Sequence, residues 1–198
     1  MLRFHEGKIN GANVIAVFSG VCKVNAAIAT QILIDCFGVN AVINAGTAGA
    51  IDEKLNVFDT VISTECCYHD VAEDILVEFH PWMKTVFFES SPYLLKRSRI
   101  AAAKSGFPNV CWGRMVTGEA FITDEGRREI VKSFMPLSVD METASIAHVC
   151  YVNDIPFLSI RCITDTATHS GIEQFNENCA KASEIAASLT MEVIKELI

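Results

Sequence analysis

The chain has 198 residues, 51% of them hydrophobic and 20% charged, with eleven glycines and five prolines. This is the length of a single domain with a sizeable core, and the composition excludes a disordered, collagenous or low-complexity protein. Sixteen basic against twenty-four acidic residues leave a net charge of −8, and no Lys/Arg cluster interrupts that balance, which argues against a nucleic-acid partner.

The mean hydropathy of +0.31 is high, yet no uncharged apolar run reaches the ~18 residues that a membrane span needs. The surplus apolar surface is assigned to a buried parallel sheet and to a partner subunit. The N-terminus shows no apolar signal region, so the expected compartment is the cytoplasm. The eight cysteines include no C-x-x-C pair, and they read as reduced core residues without a metal role, the vicinal Cys66–Cys67 pair included.

In chain order, Leu2–Ile9 and Asn13–Phe18 flank Asn10-Gly11, the dipeptide of a type I′ hairpin. A helix is expected over Lys23–Phe37, with Val24, Ala27, Ile28, Ile32, Leu33 and Phe37 on its apolar face and Gly38 as its stop. The strand Ala41–Ala45 is expected to end in a glycine-rich turn, Gly46-Thr47-Ala48-Gly49. A strand over Phe58–Cys67 precedes a helix over Pro92–Ser105. Strands at Val110–Thr117, Leu137–Asp140 and Pro156–Ile163 alternate with helices at Glu125–Phe134, Glu142–Val152 and Asn176–Leu197. The alternation predicts one α/β domain over residues 1–198, with a central mixed sheet flanked by helices.

Polar residues at the ends of apolar strands are the candidates for chemistry, because α/β sheets place ligands there. Four segments qualify: Asn44–Gly49, Thr117–Ile122, Val139–Thr143 and Ile163–Thr166. Each alone has a structural explanation. A G-x-x-G turn is common, Asp140 and Glu142 suit a helix N-terminus, Asp165 suits a loop cap, and Phe121 suits a core.

Taken in order, Gly46-Thr-Ala-Gly49, Thr117-Gly-Glu-Ala-Phe-Ile122, Val139-Asp-Met-Glu-Thr143 and Ile163-Thr-Asp165 resemble the 5′-methylthioadenosine/S-adenosylhomocysteine nucleosidases. Those enzymes belong to the purine nucleoside phosphorylase superfamily. Ser19–Ala27, Tyr68-His-Asp70 and His80-Pro-Trp-Met83 are similar to further segments of it. The resemblance implies hydrolysis of the N-glycosidic bond, with no cofactor. It implies that Phe121 stacks on adenine while the Ile122 backbone meets the base edge. Met141 would lie under the ribose, Glu142 would accept from the ribose hydroxyls, and Asp165 would protonate purine N7. Thr47 would lie near the reacting carbon, and Ala48 and Gly49 after it would also bind substrate. Phe175 would face the 5′-alkylthio group, and the His80–Met83 stretch would close that pocket across a homodimer interface.

The related phosphorylases carry an arginine where this chain has Asn44, so the resemblance favours water over phosphate as nucleophile. A nucleosidase, a non-catalytic adenine-nucleoside-binding homologue, and another purine nucleoside hydrolase or phosphorylase remain the alternatives. Members of the family open with a strand, a Gly-Ala-Met-like turn and a helix bearing the glutamate that activates water. This sequence starts about one hairpin later, and Glu6 does not match that glutamate. The expectation is a retained adenine site, weak hydrolysis until such a segment is supplied, and a sheet edge without its partner.

Overall fold

A computed structural model describes residues 1–198 apart from 79–82, 123 and 167–171. The chain opens on the hairpin of β1 (Phe4–Ile9) and β2 (Ala12–Val17). Asn10 and Gly11 both take positive φ, 48° and 93°, as a type I′ turn requires. This hairpin is a separate two-stranded sheet. After α1 (Lys23–Phe37) come β3 (Val42–Ala50), β4 (Thr60–Tyr68), α2 (Glu73–Glu78), β5 (Phe88–Glu89) and α3 (Pro92–Ser105). The chain continues through β6 (Val110–Thr117), α4 (Asp124–Phe134), β7 (Ser138–Asp140), α5 (Thr143–Val152), β8 (Phe157–Asp165) and α6 (Ile172–Lys195).

The main sheet runs β5-β4-β6-β7-β3-β8, and β8 pairs back onto β4, so its five larger neighbours close into a ring. Parallel pairs (β3–β8, β4–β6, β6–β7) and antiparallel ones (β3–β7, β4–β8) make it mixed, as expected. One apolar layer joins β3, β4, β6 and β8 to α5 through Val61, Met115, Ala144, Ala147 and Ile163. A second joins Ile62, Leu158 and Ile160 to Leu94 of α3 and to Leu189 and Val193 of α6. With β8 covered on both faces, all but its last residue are buried. That explains its near-continuous apolar run.

Three expectations are corrected. Gly46–Gly49 is not a turn: it is the second half of β3, paired in parallel with β8 up to Gly49. Helix α1 buries only part of its expected apolar face. Ala26, Ala29, Thr30 and Leu33 are buried, whereas Val24 and Ile28 are 67% and 49% exposed. Small residues let α1 approach α5 closely, which leaves the Val24/Ile28 side facing outward. Met83, expected at a subunit interface, is buried in the first core layer, and His80, Pro81 and Trp82 lie outside the described residues.

All eight cysteines are unbridged, and Cys66, Cys67, Cys150 and Cys162 are buried. Burial pushes the Cys150 thiol up to about 12 and the Cys162 thiol up to about 11, so both stay protonated and inert. Along its outer edge, β3 has no strand partner from Val42 to Ala48 among the described residues; β7 reaches it only at Gly49 and Ala50. Ala45, at mid-strand, is accordingly exposed.

Candidate active site

The site is built across β3 and β8. The register pairs Ala48 with Ile163 but Gly49 with Asp165. Thr164 is therefore an extra residue, and such a bulge re-aims the side chain that follows it. A Cβ on Gly49 would stand 3.0 Å from Asp165 Oδ2, and one on Gly46 would stand 2.5 Å from Arg161 Nη1. The two glycines are the clearance over which the two charged side chains of β8 lie. Spacing them three apart on β3 matches charges four apart on β8, once the bulge takes up one residue.

Asp165 is half-buried, and its Oδ1 accepts from Thr164 Oγ1 at 2.8 Å. Burial raises its pKa; the Thr164 hydroxyl and the Arg127 cation oppose that rise without cancelling it. A carboxyl so placed holds its proton further up the pH scale than an exposed aspartate does.

Glu142 follows β7 at the start of α5 and is anchored from both sides. Its Oε1 accepts from the Cys22 amide at 2.9 Å, and its Oε2 meets Arg161 Nη2 at 3.1 Å. Arg161 is also paired with Asp140, Nε to Oδ2, at 2.9 Å, and it donates to Thr47 O at 3.1 Å. Asp140 accepts from Thr117 Oγ1 at 2.6 Å and from the Thr143 amide at 3.1 Å. It thus ties the ends of β6 and β7 to the first turn of α5. Asn44 donates to Thr143 Oγ1 at 2.9 Å and to Ser159 Oγ at 3.2 Å.

A second network joins the start of α1 to the loops after β4 and β6. Lys23 Nζ meets Asp70 Oδ1 at 2.6 Å, the Glu119 amide donates to Asp70 Oδ2 at 3.0 Å, and Glu119 Oε1 accepts from the Lys23 amide at 2.8 Å. Burial alone pushes the Asp70 carboxyl up, but the Lys23 and Glu119 hydrogen bonds outweigh it and the net direction is down. This ring fixes the loop after β6, which carries Phe121. Phe121 is 55% exposed rather than core, and its ring meets Phe175 of α6 edge-on at 5.8 Å. Ile122 packs on the Val116, Ile130 and Phe134 cluster, and Met141 is half-buried between Asp140 and Glu142.

Among the expected residues, Thr47, Ala48, Gly49 and Asp165 lie along the paired ends of β3 and β8, and Arg161 ties Glu142 to Thr47 O. Phe121 meets Phe175, whereas Ile122 packs into a separate cluster and Met141 adjoins Glu142 in sequence only. Arg161 was not among the expected site residues, and Asp140 entered only as a member of the Val139–Thr143 segment without a role of its own. The signal for Arg161 was an arginine inside the apolar run Phe157–Ile163, opposite a glycine-spaced strand.

A family model described as the phosphorylase superfamily matches residues 2–195. The chain belongs to that superfamily. A 5′-methylthioadenosine/S-adenosylhomocysteine nucleosidase of Staphylococcus haemolyticus is 34% identical over 201 residues, 99% of this chain and 87% of the relative. The crystal structure of such a nucleosidase from Neisseria meningitidis, in complex with methylthio-immucillin-A, superposes with a TM-score of 0.89 at 32% identity, over 98% of this chain and 86% of that one. Futalosine hydrolase of Helicobacter pylori matches with a TM-score of 0.90 at 26% identity, over 98% and 84%.

Cys22 is the N-cap of α1 with φ 75° and ψ 166°, a region that glycine alone enters without strain. The backbone there is held so that its amide reaches Glu142. Cys22→Gly keeps that amide and relieves the strain, so we expect a net gain of about 1 kcal/mol after the extra chain entropy of glycine, or ~2–4 °C in Tm, read by thermal denaturation.

Proposed function

We propose that this superfamily member hydrolyses the N-glycosidic bond of 5′-methylthioadenosine and S-adenosylhomocysteine, releasing adenine and the 5′-thioribose. The observation that carries the reading is Asp165, a half-buried carboxyl whose pKa burial raises, together with a glutamate anchored from two sides. Asp165 gives its proton to N7, the bond from C1′ to N9 breaks with its electrons going to the base, and adenine leaves neutral. The ribosyl cation left behind is stabilised by Glu142 at the ribose hydroxyls. Water adds at C1′ and loses a proton; none of the residues named here is assigned that last step. Phe121 stacks on adenine, the Ile122 backbone meets the base edge, and Met141 lies under the ribose. Thr47 borders the reacting carbon, Ala48 and Gly49 after it also bind substrate, and Phe175 faces the 5′-alkylthio group.

Two observations support water over phosphate. Arg161 is paired with Asp140 and Glu142, so it offers phosphate no uncompensated charge, and the Asn44 amide is engaged by Thr143 and Ser159. Product analysis on 5′-methylthioadenosine, S-adenosylhomocysteine and futalosine, with and without phosphate, tests this. The reading expects adenine and the free thioribose from the first two, at a rate that phosphate does not change. A sugar 1-phosphate product, or turnover of futalosine alone, overturns it. Phe121→Ala is expected to weaken binding of an adenine nucleoside by ~1–3 kcal/mol, the size of one base–aromatic stack, in a calorimetric titration. Equal affinity would return Phe121 to a packing role.

We also infer a homodimer. Val24 and Ile28 of α1 and Tyr151 and Val152 of α5 are 67%, 49%, 42% and 52% exposed, side by side on two adjoining helices. A second copy of the same face covers them best. Light scattering should read a dimer that Val24→Glu converts to monomer; a monomeric parent protein contradicts this. The unbridged thiols support a reducing, cytoplasmic location, and no helix among the described residues is long and apolar enough to cross a membrane.

A further inference from the structure

Helix α4 brings a cation to the same corner of the sheet as Asp165. Arg127 Nη1 donates to the carbonyl of Ala50 at the end of β3. The residue before Ala50 is Gly49, the register partner of Asp165, over which that carboxylate lies. Arg127 Nε is buried and makes no hydrogen bond among the described residues, and the guanidinium is held in place by Ala50.

Among the described residues, the other groups named around Asp165 are uncharged or already paired. Its own strand contributes the Thr164 hydroxyl. Strand β3 contributes Gly49, which has no side chain, and α6 contributes Asn178, which donates to Thr164 O at 2.9 Å. Arg161, four residues earlier on β8, is taken up by Asp140 and Glu142.

We propose that Arg127 is a positioning residue for the proposed reaction: a fixed cation on α4 that favours the carboxylate Asp165 becomes once its proton has passed to the purine. The proposal rests on the reading of Asp165 as the acid. A general acid must hold its proton until substrate arrives and then release it. Burial serves the first need, and the Thr164 hydrogen bond and, after it, the Arg127 cation serve the second. Arg127 does not touch the reacting atoms in this scheme; it acts through Asp165.

The test is a carbon-13 titration of the Asp165 carboxyl, assigned by its loss in Asp165→Asn, in the wild type, Arg127→Gln, Arg127→Lys and Arg128→Gln. Arg128 lies next along α4 and is exposed. Removing the cation disfavours the carboxylate, so Arg127→Gln should move the midpoint up. Arg127→Lys should stay near the wild type, and Arg128→Gln should not move it. A midpoint that is unchanged or lower in Arg127→Gln overturns the proposal, and a lower one would indicate an undocked α4 and a wetter Asp165. In turnover of 5′-methylthioadenosine, the alkaline limb of kcat/KM should shift up with the midpoint. If the midpoint shifts as expected while no form of the protein releases adenine, the link from Arg127 to Asp165 stands and the reading of the reaction falls.

Discussion

Asp165→Asn is expected to lower adenine release by ~10²–10⁴-fold, about 3–5.5 kcal/mol of barrier, while leaving nucleoside affinity nearly intact. The amide is isosteric and its oxygen can still accept from Thr164, but it has no proton to give N7. The pH dependence carries the same signature. Burial raises the Asp165 pKa in the folded protein, so the active, protonated form prevails at low pH and is lost as pH rises through the folded value. The same linkage acts on stability. The native state holds this proton more tightly than the unfolded chain, so the contribution is present below the unfolded pKa and disappears as pH rises through the folded one. The asparagine variant should lack both dependences. Steady-state kinetics over pH, together with calorimetric binding, separate loss of chemistry from loss of affinity.

The second large effect is expected at Arg161. Its side chain is 6% exposed, between Asp140 at 3% and Glu142 at 14%. Arg161→Leu leaves two carboxylates near one another in a low-dielectric interior with no cation. Breaking a buried pair in this way typically costs ~3–5 kcal/mol, and in a chain of this size that is roughly 6–20 °C in Tm. Glu142 also loses one of its two anchors, so ribose recognition should fall with stability. Glu142→Gln separates these effects. It keeps an acceptor for the Cys22 amide and should unfold less easily than Arg161→Leu, yet still bind the nucleoside weakly. An Arg161→Leu protein as stable as the parent would mean that the cluster contributes nothing to the fold.

Much of this arrangement is legible in the residues. Asn10-Gly11 specifies the hairpin, Gly38 and Gly106 stop their helices in left-handed geometry, and the apolar runs of β6 and β8 place Thr117 and Asp165 at strand ends. What misled was glycine. Gly46 and Gly49 read locally as a turn, because nothing in the segment tells that side chains from β8 must cross it. Only the long-range register with Arg161 and Asp165 makes glycine necessary there. The periodicity of α1 was also ambiguous. Its apolar positions include both the small residues that meet α5 and the larger ones left outward, and spacing alone does not distinguish a core from a surface that another copy covers. Strand β5, two residues long, is too short to carry a period. Arg161 lay in plain view inside an apolar strand, where a charge calls for a partner.

The measurement that bears most directly on the account is adenine release from 5′-methylthioadenosine in phosphate-free buffer, with wild-type and Asp165→Asn protein prepared identically from a host lacking its own nucleosidase. The account predicts adenine and 5′-methylthioribose from the wild type, however slowly, and a release at least ~10²-fold lower from the variant. Adenine formed equally by both proteins, or by neither, would contradict it.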